Sequence, residues 1–502
     1  MNPIGGWEMP ARPVQCSALK NFAPLALALT LGYALAVSVL LRDDSSGSDA
    51  RAVAIAVATA ALWMAMRDPD RLVQTLGRGM RYLSWKRIGL AALAVRLVWV
   101  LASDVTQTSD FANYDRMARE ICAGRYLVNP SLPTGPSLIF ALHYLVFGYM
   151  PLAPQLTLAL LSTAQVLLVY SLLLKTTANR SAAVLGATIL AVWPEHILYV
   201  NLLGSDVLFS TLVLLATWLL TLGSGPVPRR DLAAVFAAGL VLGCSHWVRN
   251  TAFAFLVASS LFLALHDRWR LQRRAATVGA LGAGFLLPVL PLLYLNYVTT
   301  GFPSPTASQI GGWSLFVGAN SASRGMWNKQ DEVLIDGLVA AQATRAGEHR
   351  FVVRDRIAKE MALQRIREHP GVYVWTILRY KVALLWARAA EISWSVRTSR
   401  FGARELWVQV MVNIFHVFAA VAAVVGLTCV AVRGRYAWDV RQILFWAALL
   451  TTVVHCVFEV QPRYHHMFLP TLAIAIGQIM TIPETLRNAD FVSVCSREPL
   501  HK

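Results

Sequence analysis

Two aspartates and two arginines in this chain have the type and placement to do chemistry. Asp110 lies in the stretch Ser109-Asp110-Phe111-Ala112-Asn113-Tyr114-Asp115, directly after the apolar run Ile88 to Ala102. A carboxylate held at the edge of a membrane can act as general base toward a hydroxyl. Asp206, in Gly204-Ser205-Asp206, stands at the start of another apolar run. Two such carboxylates facing one cavity could share a divalent cation that neutralises a phosphate leaving group. Arg249 and Arg463 sit in short segments between apolar runs, away from the other basic clusters. Guanidinium groups grip phosphate in a bidentate way, which suits both to a phosphate or pyrophosphate head. Each residue also has a structural reading. Asp110 can be a solvated loop residue, Asp206 a helix cap, and Arg249 a side chain reaching lipid headgroups.

Other polar residues surround this set. Tyr114 is at i+4 from Asp110, Asp115 is read as lying near the same helix face, and Tyr464 follows Arg463. His465 and His466 are adjacent, so on a helix they point apart and do not jointly ligate one ion. His455 and Glu459 are one turn apart and are expected to pair with each other. Arg96 falls well inside an apolar run, where a charge is costly and needs partners, so it is a packing anchor or part of a polar cavity.

The elements that must hold these residues are membrane helices. Of 502 residues, 56% are hydrophobic and 15% charged, too apolar a balance for a soluble chain of this size. Twelve apolar runs are read as spans of an all-α polytopic membrane protein: Phe22 to Leu41, Ala52 to Met66, Ile88 to Ala102, Gln155 to Leu174, Ala182 to Tyr199, Val207 to Thr221, Leu232 to Trp247, Thr251 to His266, Ala275 to Val298, Trp407 to Val432, Ile443 to Val460 and Met467 to Ile482. The net charge of +17 collects in a few connections, among them Arg67 to Arg87, Arg229 and Arg230, Arg268 to Arg274, and Arg433 to Arg441. With twelve spans all four fall on one side, which the positive-inside rule makes cytoplasmic together with both termini. The chain has no basic soluble domain interleaved with aromatics, so nucleic-acid binding is excluded. The six cysteines form no CxxC pair, which argues against a zinc knot or a thioredoxin-type site. The first run lacks a small-residue cleavage site and reads as a retained helix.

Four regions follow. Residues 1–87 carry two N-terminal spans and a cytoplasmic loop, and 88–298 a membrane core whose first outer loop is 103–154. Residues 299–406 form a second outer segment, and 407–502 the last spans and a cytoplasmic tail. The first loop is predicted to hold a helix from Phe111 to Ala123 ended by Gly124, a Pro-rich stretch from Asn129 to Pro136, and an interfacial segment Ser137 to Tyr149. The second segment is predicted to be helical from Asp331 to Glu368, ended by Pro370, then interfacial from Tyr373 to Trp386, where Arg379 and Lys381 interrupt the apolar run.

In this order the pieces resemble the GT-C superfamily of membrane glycosyltransferases, close to its protein O-mannosyltransferase and aminoarabinose-transferase branch. The resemblance covers about residues 88 to 482. It is carried by Arg96-Leu97 leading into Asp110, Tyr114, Ala118 and Gly124, then by Gly135-Pro136-Ser137-Leu138 with Phe147-Gly148, then by Pro194 and Ser205-Asp206. Further on, Asn296, Gly301, Gly311-Gly312, Gly318, Asn320, Gly325 and His369-Pro370 are similar to the family's outer-loop series, and Arg463-Tyr464 with Pro470 to its closing motif. The chain departs from the pattern at Phe111, where the family commonly has a second acid, and at Thr134-Gly135, where it has a basic residue and a proline.

The resemblance implies a GT-C-like fold of about 12 helices with two large outer loops, working in the bacterial inner membrane with its site facing the periplasm. It implies an inverting transfer of a monosaccharide from a polyprenyl-phosphate donor to a lipid, polysaccharide or protein acceptor. Asp110 would be the base, Tyr114, Asp206, Arg249, Arg463 and Tyr464 would bind substrate, and a divalent cation on Asp110 and Asp206 would be the one cofactor. A transporter or flippase of lipid-linked sugars is the competing class. Such folds show two related halves with broken helices near the midplane, which this sequence does not display.

Overall fold

The computed structural model describes residues 16–40, 55–60, 69–125, 131–222, 228–266, 269–341, 349–389, 393–432 and 438–481. Most of the run Ala52 to Met66, the residues 126–130 that open the Pro-rich stretch, and the C-terminal tail lie outside the described residues. Among those described, every regular element is a helix.

Four helices are long and apolar enough to cross a membrane: Asn21–Val39, Leu152–Thr177, Leu271–Thr300 and Gly402–Thr428. A bent pair, Arg180–Val192 with Pro194–Asn201, makes a fifth if counted as one span. Shorter apolar helices pack among them, including Asp206–Leu220, Ala252–Ala264 and Arg441–Val457. The protein is an all-helical, multi-pass assembly in which the expected spans divide into a few full-length crossings and several shorter helices.

The run Ala182 to Tyr199, expected as one span, is broken and bends by 55°. The cause is Pro194, which lacks an N–H and drives Trp193 to extended backbone (ψ 112°). The break strands carbonyl groups inside the bundle, and Arg96 answers them. Its Nη1 donates to the carbonyls of Ala92 and Ala191, its Nη2 to Leu190, and its Nε to Ser162 Oγ at 2.7 Å. Nη2 also donates to His196 Nδ1 at 2.7 Å, so the His196 hydrogen is on Nε2, which donates to Gln165 Oε1 at 2.9 Å. Arg96 is therefore a packing anchor. Replacing it with Met keeps the volume but removes the guanidinium donor from the Ala191 carbonyl, from the Leu190 carbonyl, which keeps only the Trp193 N–H at 3.4 Å, and from His196, which keeps only the Ser162 hydroxyl at 3.1 Å. The expected loss is about 2–4 kcal/mol, read as a lower melting temperature in detergent; an unchanged melting temperature would contradict the anchor role.

Helices Pro228–His246 and Leu271–Thr300 touch backbone to backbone. A methyl at Gly284 would meet the Phe236 carbonyl oxygen, and one at Gly239 the Leu281 carbonyl oxygen. Small residues at such crossings give the close approach that membrane helices rely on where no hydrophobic force separates lipid from protein.

The first helix, Cys16–Leu40, packs on Glu405–Val432, Arg441–Val457 and Val382–Trp386, so this N-terminal extension is built into the bundle. The segment Tyr373 to Trp386, expected to lie along the interface, instead sends its last turn inward. Ala383, Leu384, Leu385 and Trp386 are all buried. Lys381, read as a charge at the interface, is also buried, and its ammonium donates to the carbonyls of Cys456 and Phe458, both at 2.9 Å. The Asp331 to Glu368 helix is two helices, Lys329–Ala341 and Arg350–Glu368. With Gly311–Gly318 they enclose a second, separate core of Trp313, Phe316, Val317, Ile335, Val339, Val353, Ile357, Ala358 and Ala362.

Candidate active site

The first loop forms its helix close to expectation, Ser109–Cys122, and Gly124 follows with φ 71°. Its first residue, Ser109, has φ 53°, a left-handed conformation that costs a non-glycine residue roughly 1 kcal/mol. Asp110 comes next, with its carboxylate paired to Arg463 across the chain. Asp115, five residues on, is turned about 140° from Asp110 around the helix, so it does not share its face as expected. It is buried and accepts hydrogen bonds from Tyr144 and Tyr149, with Arg119 at 3.3 Å. That pairing fastens the helix to its neighbour Gly135–Phe147.

Asp206 opens the helix Asp206–Leu220 and accepts from Arg249 Nη1 at 2.6 Å. Arg249 lies on the turn after Pro228–His246, and that turn is fixed at both ends. The Gly135 N–H donates to the Trp247 carbonyl at 3.0 Å. Asn250 accepts from the Ala307 N–H at 2.7 Å and donates to Ser308.

Helix Arg441–Val457 ends before Phe458, which places Phe458 to Gln461 in a loop rather than in the expected span. The next expected span begins as a 3₁₀ turn, Pro462–Phe468, which carries Arg463 and Tyr464. His455 meets the Glu459 backbone carbonyl at 3.1 Å and not its carboxylate, and its ring stacks on Tyr464 at 4.4 Å.

All six expected site residues, Asp110, Tyr114, Asp206, Arg249, Arg463 and Tyr464, line one cavity of about 990 Å³. The Tyr464 ring lies near both guanidinium carbons, 5.5 Å from that of Arg249 and 5.8 Å from that of Arg463. Trp313 of the second core, with Trp327, Glu332, Asp336 and Arg354 from the helices and turn around it, lines the same cavity. Exposure separates the two aspartates: the Asp110 side chain is 30% accessible and that of Asp206 only 4%. Burial, then the charge of Asp110, raise the Tyr114 hydroxyl above its ordinary pKa, so it is a hydrogen-bond donor here and not a base. Among the described residues, no third His, Cys, Asp or Glu ligand gathers with Asp110 and Asp206.

Glu459 also lines the cavity, a role the sequence did not suggest. Burial pushes its carboxyl up to about 6, against a hydrogen bond from Gln461 and the nearby Arg463. A carboxyl whose folded pKa is raised gives stability that is complete below its unfolded value and is lost as pH rises through 6. Glu459→Gln removes that loss, so above pH 7 the variant is expected to be more stable than the parent by about 2 kcal/mol, with the two converging near pH 4. Parallel melting curves at all pH values would refute it.

No family model and no curated protein matches the chain. Among solved structures it is similar to the crystal structure of ArnT from Cupriavidus metallidurans bound to undecaprenyl phosphate, with a TM-score of 0.38 and 14% identity over 80% of this chain and 79% of that one. The apo-state structure of the same protein is similar at a TM-score of 0.38 and 15% identity, over 78% of this chain and 76% of that one.

Proposed function

We propose that the chain is an inverting glycosyltransferase of the GT-C type, moving a monosaccharide from a polyprenyl-phosphate donor to an acceptor hydroxyl at the periplasmic side of a bacterial inner membrane. The acceptor is a lipid, polysaccharide or protein. The observation that carries the reading is the gathering of two Asp–Arg pairs on one cavity, with Asp110 the more open carboxylate of the two pairs.

The donor phosphate lies between Arg249 and Arg463, whose guanidinium groups take up its charge. In competing for Arg463, the phosphate releases Asp110 from its ion pair, so the base becomes free only when a donor is bound. Asp110 then takes the proton of the acceptor hydroxyl as its oxygen bonds to the anomeric carbon. The bond from that carbon to the phosphate oxygen breaks, its electron pair leaves with the phosphate, and the configuration inverts. Tyr114 donates to a substrate oxygen, and Asp206 holds Arg249 in position. Asp206 gives Oδ1 to Arg249 and Asp110 gives Oδ2 to Arg463, so each keeps a second oxygen that could hold a divalent cation, and no step here is routed through one.

The test is transfer of labelled sugar from synthetic polyprenyl-phosphate donors to a membrane extract by the purified protein. Transfer with inversion supports the reading. Movement of the lipid-linked sugar between leaflets without transfer would replace it with the flippase.

A further inference from the structure

Glu195, His416 and His465 meet inside the bundle from three separate segments: the short helix Pro194–Leu198, the long helix Glu405–Val432 and the turn Pro462–Phe468. All three side chains are fully buried. His465 Nδ1 lies 2.7 Å from the Leu385 carbonyl oxygen, and His416 Nε2 lies 2.9 Å from that of Trp386. A carbonyl can only accept, so both of those nitrogens carry the hydrogen. In the neutral rings the remaining nitrogens, His465 Nε2 and His416 Nδ1, are bare lone pairs. They face Glu195 Oε2 at 3.3 Å and 3.8 Å. Two lone pairs and a carboxylate thus converge with no hydrogen among them. His416 Nδ1 and Glu195 Oε1 have no hydrogen-bond partner among the described residues. Buried acceptors left in this way are costly unless a cation joins them.

A proton is a poor candidate. Placed on one ring it could serve the 3.3 Å contact, but 3.8 Å is beyond hydrogen-bond length, and the other ring would stay unanswered. A metal ion answers all three groups at once. Bonds of about 2.0–2.1 Å in a tetrahedral site put ligand atoms about 3.3 Å apart, the spacing between Glu195 and His465. The three ligand atoms all lie within 4.8 Å of one another. Donation of the second ring N–H to a backbone carbonyl is also the arrangement that orients a metal-ligating histidine.

We propose that Glu195, His416 and His465 form a structural transition-metal site, whose two imidazoles and carboxylate are a ligand set that zinc takes. Glu195 Oε1 is available to complete the coordination by bidentate binding. His465 is two residues beyond Arg463 in the same turn, so the ion ties that turn to the Pro194 bend and to the helix Glu405–Val432. The site is independent of the sugar-transfer reading, and its test needs no activity.

Full-length protein purified in detergent through a tag without histidine should hold about one zinc per chain by elemental analysis. Chelation should lower the melting temperature and added Zn²⁺ restore it. Refilling with Co²⁺ should give the visible absorption of a tetrahedral site. Glu195→Gln and His416→Gln should lose the metal, while His466→Gln, altering the neighbouring histidine, should keep it. Metal retained by folded His416→Gln would overturn the proposal. So would a parent protein that holds no metal and shows neither a Zn²⁺ shift nor a Co²⁺ spectrum, a result that needs no variant to fold.

Discussion

Asp110→Asn is expected to lower sugar transfer by about 10²–10⁴-fold, the range for loss of a positioned general base. The amide has the shape of the carboxylate but cannot take a proton from the acceptor. The variant should fold normally, because Asp110 is partly exposed and at the start of its helix. Donor binding should hold or tighten, since the Asp110 charge no longer competes with phosphate for Arg463. The informative pair of measurements is therefore turnover at saturating donor and the donor dissociation constant. A full rate from well-folded Asp110→Asn would remove Asp110 from the chemistry. A rate lost only through weaker donor binding would make it a binding residue instead.

Breaking the second pair should be felt first in stability. Asp206 is 4% accessible and Arg249 13%, and the two meet at 2.6 Å. Arg249→Met leaves a buried carboxylate without its cation, which costs about 3–5 kcal/mol. Adding Asp206→Asn removes the stranded charge, so the double variant should recover most of the melting temperature. It should not recover transfer, because the phosphate has lost one of its two guanidinium groups. A double variant as active as the parent would mean that Arg249 acts only as a structural counter-ion to Asp206. A double variant as unstable as Arg249→Met alone would mean that the two side chains are not coupled.

The site was more legible in the sequence than the fold. Asp110, Asp206, Arg249 and Arg463 each stood out because a charge beside an apolar run needs a reason, and that logic holds wherever the run ends. The apolar runs were visible too, but hydropathy does not register where a helix ends. Asp331 to Glu368 read as one helix and is two, and Ile443 to Val460 read as a span although its helix ends at Val457. Pro194 was in plain view, yet a proline inside an apolar run is common in membrane helices, and a full break there is tolerated only where a donor such as Arg96 meets the freed carbonyls, which hydropathy does not register. Tyr373 to Trp386 read as interfacial because Arg379 and Lys381 interrupt it. The burial of Lys381 depends on two carbonyls from a helix end far along the chain, which no local pattern encodes. Glu195 and His416 drew no notice for a similar reason, since each looks solitary until the bundle closes around them.

The cavity is walled by two cores that share no buried residue: the membrane bundle, which carries the Asp–Arg pairs, and the small outer core around Phe316. Gly318 lets the outer core press against the Phe458 backbone, and a side chain there would collide with it. The rest of the cavity lining can therefore diverge by substitution in one unit while the Asp–Arg pairs in the other keep their geometry.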